Sequence, residues 1–576
     1  MSLSTTQSAL DNAPVAPSPA RSPVAMPAYA CERGIDSELL EAARIRLELL
    51  YGEVAADWPG FIERPGQYQM MQACLLTFLS AKAPDDEDRT GNHLAQLEAG
   101  TGTGKTVAYC LAAIVASEVL KKTVIVSTAT VALQEQLFHK DLPRLAKIIP
   151  DLTYDILKGR ARYVCESRLE GVINDVAQDS LITGEFQDFF ADSRRQMNSI
   201  PRDRLEAMRW FKSSAKNLHA GSWDGDIDSL AQPPDPEDWR LIAANAHACN
   251  GGQCEYFRRC AFFKARRQAA SATLQVANHA LVLATLQTDS SLIDAGNTLF
   301  VFDEAHHLPG IAADQFSLRA RMGTSGKLLA SLRTVAQRHG RVLPASTRPD
   351  PVAFAQLITG CTDKLAIFES YWIESQLVSA DKPVHRFTHG RIPEALISVC
   401  EQLATLLRSI TSVVAGIAAA LTEPDESQSP HEREEQTRSG VELGVYLSRL
   451  DTLDKLFSAW ATHDRVPWAK WIEWVEPNKE LVGAPPDAWL CASPMTAAQV
   501  LSKNLWNRVS AAVCTSATLT ACGSFDFFDR LSGMNRFPER RALVVDSPFN
   551  YATQGELRIA PIVAADRKLT HFQWFC

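Results

Sequence analysis

From Ala99 the chain reads A-G-T-G-T-G-K-T, so that Gly100, Thr101, Gly102, Thr103 and Gly104 lead into Lys105 and Thr106. Glycines let successive backbone N–H groups converge on phosphate oxygens, and a helix that starts there adds the positive end of its dipole. Lys105 can reach the β- and γ-phosphates of a nucleoside triphosphate, and the Thr106 hydroxyl can ligate Mg²⁺. ATP and Mg²⁺ are the expected ligands, although the strict pattern opens with glycine where this chain has Ala99. Further on, the apolar run Leu299–Phe302 ends in Asp303-Glu304-Ala305-His306. A carboxylate at the carboxyl end of a parallel strand, beside a phosphate loop, is where Mg²⁺ is held. Asp303 is placed to bind the metal and Glu304 to orient or deprotonate an attacking water. Lys105, Asp303, Glu304 and His306 form the candidate catalytic set.

A third string, "HACNGGQCEYFRRC" from His247, spaces Cys249, Cys254 and Cys260 as C-x4-C-x5-C. Three thiols are one short of the four ligands that a tetrahedral zinc or an iron–sulfur cubane requires. Basic and aromatic residues crowd the same stretch. Arg258, Arg259, Lys264, Arg266 and Arg267 have no acid among them, and Tyr256, Phe257, Phe262 and Phe263 are interleaved. Such a surface suits a phosphate backbone and exposed bases. A small aromatic core under a solvated helix is the plainer reading, and the phenylalanines favour it.

These groups need elements to hold them. "HLAQLEA" reads as a short buried strand before the glycine turn, and "VAYCLAAIVAS" as the helix after it. "TVIVST" and "AAVCTSATL" are further strands that end in hydroxyl residues, and "RPGQYQMMQ" places Gln67 where an amide could read an adenine edge. A chain of 576 residues exceeds one core. Its hydrophobic content of 46% and charged content of 22% are those of a globular protein. The net charge of -9 argues against wholesale coating of nucleic acid but not against a local basic groove. No uninterrupted apolar run reaches the ~18 residues of a membrane span. The Ala/Pro/Ser-rich start lacks the basic and apolar regions of a secretory signal, so a cytoplasmic location without membrane association is expected. Most of the 13 cysteines stand singly, as buried thiols do.

The order QYQM, GTGKT, STAT…LQEQL, DEAH, TSATL resembles that of superfamily-two helicases. The strings "LKGRARYVC", "CEYFRRCAFFKARR", "VANHALVL" and "DEAHHLP" are similar to the XPD/DinG branch. This resemblance implies an α/β fold: a RecA-like P-loop motor lobe with an inserted iron–sulfur domain and a helical arch domain. It implies an ATP-dependent DNA helicase that moves 5′→3′ on single strands and unwinds forked DNA in repair or replication, as a monomer. It also supplies the fourth ligand, Cys165, after Gly159-Arg160-Ala161-Arg162-Tyr163-Val164, so that Cys165, Cys249, Cys254 and Cys260 would hold a [4Fe–4S] cluster. A distant thiolate plus a clustered trio suits a cubane. Zinc, with His247 as a substitute ligand, and a site without metal stay open at this level. Arg160 and Arg162 then join the basic residues above as candidate DNA contacts.

The expected division is a disordered tail (1–35), the first lobe (36–155, 271–314 and 486–526), the iron–sulfur domain (156–270), the helical arch (315–485) and the start of a second RecA-like lobe (527–576). In the arch, "EPDESQSPHEREEQTRSG" reads as a charged loop between two helices. No Q-x-x-G-R-x-x-R-like segment follows TSATL, so a second lobe cut short, with impaired activity, is expected. A non-catalytic DNA-binding fragment and an RNA helicase are the alternatives.

Overall fold

The computed structural model describes residues 35–84, 86, 91–177, 204–245, 249, 251–287, 293–340, 343, 348–422, 430–462, 468–476 and 487–549. The tail up to residue 34, His247, residues 423–429 and residues 550–576 lie outside them. Among the described residues the strands are, in chain order, β1 (Leu94–Ala99), β2 (Thr123–Thr128), β3 (Tyr154–Ile156), β4 (Leu274–Asn278), β5 (Thr298–Asp303), β6 (Leu318–Arg321), β7 (Val384–Arg386), β8 (Trp468–Val475), β9 (Asp487–Pro494), β10 (Ala511–Ser516) and β11 (Arg541–Val545).

Seven of them form one sheet in the order β11-β1-β10-β5-β2-β4-β3, parallel throughout. Successive residues of a strand point to opposite faces, and β5 shows the consequence. Leu299 and Val301 enter the core shared with helices Ser37–Asp57, Pro65–Leu79 and Lys105–Leu120. Phe300 and Phe302 enter the opposite core, with helices His279–Gln287 and Leu308–Gln315 and with Trp506. All four side chains are fully buried, each contributing about 1.5–3 kcal/mol. A strand covered on both faces must read as a continuous apolar run, which is why β1, β2, β5 and β10 stand out in the sequence.

Two insertions leave this sheet. Between β3 and β4 a small unit gathers Val164, Leu169, Phe211, Trp223, Trp239 and Ile242 around its own core. Between β5 and β10, an antiparallel sheet β6-β9-β8-β7 packs with helices Met322–Gly340, Pro351–Glu374, Glu394–Thr422 and Pro430–Ala461. The segment Glu394–Leu421 has a mean hydropathy of 1.7, long and apolar enough by composition to cross a membrane. Its Leu403, Leu407, Ile410, Val414 and Ile417, at three- and four-residue spacing, are buried in the core of this inserted unit.

Three expectations need correction. The charged stretch is helical from Pro430 onward, because proline suits a first helical turn and Glu and Arg are good helix formers. Strand β9 pairs with β6 and β8, so the inserted unit runs past residue 485. Strand β11 belongs to the first sheet and not to a second lobe: it pairs with β1 from Ala95↔Arg541 to Ala99↔Val545. Asp529, in the helix before it, is held by Arg540 and by the Gln96 amide of β1.

Lys470 on β8 is 2% exposed, and its ammonium donates to the carbonyls of Trp460 and Thr462, each at 2.7 Å, at the end of the preceding helix. Burial lowers its pKa to about 8. The unfolded chain therefore binds more protons here between about pH 8 and pH 10.5, and stability rises with pH across that window. The stability difference between wild type and Lys470→Met, read by thermal melts, should shift in favour of wild type from pH 8 to pH 10. A flat difference would show that this ammonium is not desolvated.

Candidate functional site

The glycine turn sits at the carboxyl end of β1, Ser516 at the end of β10, and Asp303 at the end of β5. Because β10 lies between β1 and β5, three neighbouring strands deliver these groups to one place. Gly102 and Gly104 have φ of +81° and +82°, the left-handed region that favours glycine. Gly104 then caps the Lys105–Leu120 helix. The Thr103 hydroxyl donates to Gly100 O at 2.7 Å, tightening the turn.

Gln67 lies in the first turn of the Pro65–Leu79 helix and is 2% exposed. Its amide N–H donates to Gly104 O at 3.0 Å, and its carbonyl accepts from the Tyr51 hydroxyl at 3.2 Å. The amide thus fixes the glycine turn.

Lys105 Nζ lies 3.4 Å from Glu304 Oε1. The other oxygen of Glu304 accepts from Ser516 Oγ at 2.8 Å, and His306 Nδ1 is 2.7 Å from the same hydroxyl. Asp303 Oδ2 accepts from Tyr109 OH at 3.1 Å. Burial and the adjacent Glu304 push the Asp303 carboxyl up to about 6, against the pull of Lys105. Burial and His307 lower the pKa of His306. Glu304 has φ +53°, a conformation that costs a non-glycine residue about 1–2 kcal/mol. Together these place a cation, two carboxylates and a histidine around one glycine turn, the equipment for holding a metal–triphosphate and orienting water. Thr106 lies one residue into the helix, on the same element as Tyr109, whose hydroxyl reaches Asp303.

The cysteines converge as well. Residues 163–164 bridge to Asp226 and Ala243, and Cys165 N donates to Ile242 O at 2.7 Å. Burial raises the thiol pKa of Cys165 and of Cys254. Cys165 interacts electrostatically with Cys254 and Cys260, and Cys254 with Cys249 and Cys260. The four thiols are free and half-buried.

No family model matches the chain. Curated relatives do. It is 30% identical over 536 residues to the ATP-dependent DNA helicase DinG of Salmonella choleraesuis (strain SC-B67), covering 90% of this chain and 70% of that protein. The same figures hold for ATP-dependent DNA helicase DinG of Escherichia coli K12. This chain belongs to the DinG family of ATP-dependent DNA helicases. DinG of Photobacterium profundum is 31% identical over 474 residues, 80% of this chain and 64% of that one. Among solved structures, an XPD helicase aligns with a TM-score of 0.37 at 12% identity over 84% of this chain and 62% of its own. A truncated XPD gives 0.35 at 12%, over 84% of this chain and all of its own.

As in a DinG-type enzyme, the chain is an ATP hydrolase that acts with DNA as its partner. The basic residues around the cysteines are less uniform than their sequence implies. Arg162 pairs with Asp228, and Arg259 with the nearly buried Glu166 at 2.8 Å. Arg160 stacks 4.3 Å over Phe262, and Arg267 lies 5.9 Å from the Phe257 ring and donates to Arg258 O. Burial, then Arg160, lower the pKa of Arg266, while Lys264 and Arg258 are exposed. Phe262 is buried, and Phe257 and Phe263 pack 4.6 Å apart. The phenylalanines make a small core.

Sequence reasoning missed Tyr109, Ser516 and Glu98 as site residues. Glu98 on β1 accepts from Leu519 N at 2.7 Å and from the Thr520 hydroxyl at 2.9 Å, clamping the turn after β10 to the strand that leads into the phosphate loop. The TSATL string signalled Ser516. Nothing local signalled Glu98.

Proposed function

We propose that this chain hydrolyses ATP at the Lys105–Glu304 site to move 5′→3′ along single-stranded DNA and open forks, in cytoplasmic DNA repair or replication, as a monomer. The observation that carries it is the Lys105–Glu304–Ser516–His306 chain of contacts across the ends of β1, β10 and β5. Lys105 would bind the β- and γ-phosphates, and Thr106 and Asp303 would hold Mg²⁺. Glu304, steadied by Ser516, would orient the water, and His306 would report the state of Glu304 to β10 through the same hydroxyl.

Cys165, Cys249, Cys254 and Cys260 would hold a [4Fe–4S] cluster, which supplies a structural brace. The donor set fits: four free thiols from two distant segments meet in one unit. Among the described residues, the trio of candidate ligand atoms within 4.8 Å of one another is Glu166, Glu170 and His219, and no cysteine trio. In every cysteine trio at least one pair of sulfurs is therefore more than 4.8 Å apart, beyond the roughly 3.8 Å edge of a zinc site with 2.3 Å bonds, which favours the cubane. Around it, Arg160, Arg258, Lys264, Arg266 and Arg267 would track the DNA backbone, with Arg162 and Arg259 bracing the unit.

The chain should bind ATP and single-stranded DNA, and hydrolyse ATP faster with the strand bound. Single-turnover hydrolysis with and without single-stranded DNA tests this. Turnover that single-stranded DNA leaves unchanged would overturn the coupling to DNA, and failure to bind ATP would overturn the site.

A further inference from the structure

The chain leaving β11 runs past the nucleotide site without a role in the chemistry above. A methyl group built on Gly66 would collide with Val545. One on Gly100 would lie 3.7 Å from Ser547, and one on Gly102 would come within 2.6 Å of the Phe549 ring. Residues 545–549 therefore pass from the start of the Gln67 helix onto the phosphate turn. Ser547 Oγ accepts the Phe549 N–H at 3.3 Å, turning the chain around Pro548.

Phe549 is 44% exposed, whereas Phe300 and Phe302 in the adjoining sheet are fully buried. The ring lies against Gly102 of the glycine turn and keeps nearly half of its surface exposed there. It offers a flat apolar face next to the place where a triphosphate would sit. The nucleobase of that triphosphate is a flat apolar partner one ribose away. Gln67, the other candidate for base recognition, already has both ends of its amide engaged by Gly104 and Tyr51.

We propose that Phe549 is the base-stacking platform of the nucleotide site, so that a purine is held by its face rather than by an edge amide. The proposal rests on the reading of Gly100–Thr106 as a triphosphate site. Stacking is tolerant of base identity and is lost on truncation of the ring.

The test is Mg²⁺-dependent binding of ATP and, separately, of inorganic tripolyphosphate to the full 576-residue chain. Phe549→Ala should weaken ATP about tenfold and leave tripolyphosphate unchanged, which also shows that the phosphate turn stays folded. Phe549→Trp should keep the ATP affinity of wild type. Equal weakening of both ligands would mean that the ring only packs the turn. Unchanged ATP binding, or tighter binding from removal of a plug, would likewise overturn the platform. Lys105→Ala separates the two readings: if it spares both ligands, the triphosphate site itself is wrong, whatever Phe549 does.

Discussion

Replacing Cys165 with serine is expected to strip the iron from anaerobically purified protein, from about four irons per chain to none, with loss of the brown colour. Cys165 lies 84 positions before Cys249, so as the proposed fourth ligand it would tie the two halves of the insertion together. It is fixed from both sides. Val164 N donates to Gly225 O, Ala244 N donates to Tyr163 O, and Leu169 N donates to Cys165 O at the start of the next helix. Serine would keep this backbone frame but offer a far poorer ligand, leaving a corner of the cubane to water. The apolar core of the unit is small, so loss of the brace should also expose it to protease between residues 157 and 273. Cys522, exposed and remote in the sheet lobe, serves as control: its serine variant should keep full iron. Iron counts and visible absorbance decide the matter. Retained iron in Cys165→Ser would move the fourth ligand elsewhere, and zinc in the wild type would replace the cubane.

The motor was legible because its signals are local. A strand buried on both faces is a run of apolar residues, and a turn that needs positive φ at Gly102 and Gly104 must show glycine there. What escaped depends on partners far along the chain. Arg162 and Arg259 looked uncommitted because Asp228 and Glu166 lie 66 and 93 positions away. Strand β11 is a short "RALVV" with partly exposed side chains, like many edge strands, and its partner β1 lies more than 400 positions upstream. Glu98 and Tyr109 are ordinary residues of a strand and a helix until the turn after β10 and the end of β5 arrive beside them. The antiparallel sheet of the second insertion was hidden for the same reason. Its strands are separated by long helices, so no hairpin spacing announced them, although "WAKWIEWV" has the aromatic and β-branched content of a strand.

Lys105→Ala should cost ATP binding about a hundredfold. Two charge-assisted contacts to phosphate oxygens, at roughly 1.5–3 kcal/mol each, give about 3 kcal/mol or more, and every 1.4 kcal/mol is tenfold in affinity. Without a nucleotide, the ammonium is paired with Glu304 at 3.4 Å, so binding exchanges one anionic partner for a more highly charged one. Its loss would leave Asp303 and Glu304 side by side with no cation from the turn, and Asp303, already pushed up by burial and by Glu304, would protonate still more readily. The substitution is mild for the fold, because position 105 opens a helix and alanine is the best helix former. DNA binding provides the internal check. The basic residues lie in the insertion between β3 and β4, away from the glycine turn in sequence, so affinity for single-stranded DNA measured without nucleotide should not change. Titration with a fluorescent ATP analogue and with labelled single-stranded DNA reads both. Loss of ATP binding alone supports Lys105 as the phosphate ligand. Unchanged ATP affinity would remove it from that role, and parallel loss of both ligands would mean that the variant is misfolded or that the two surfaces are one.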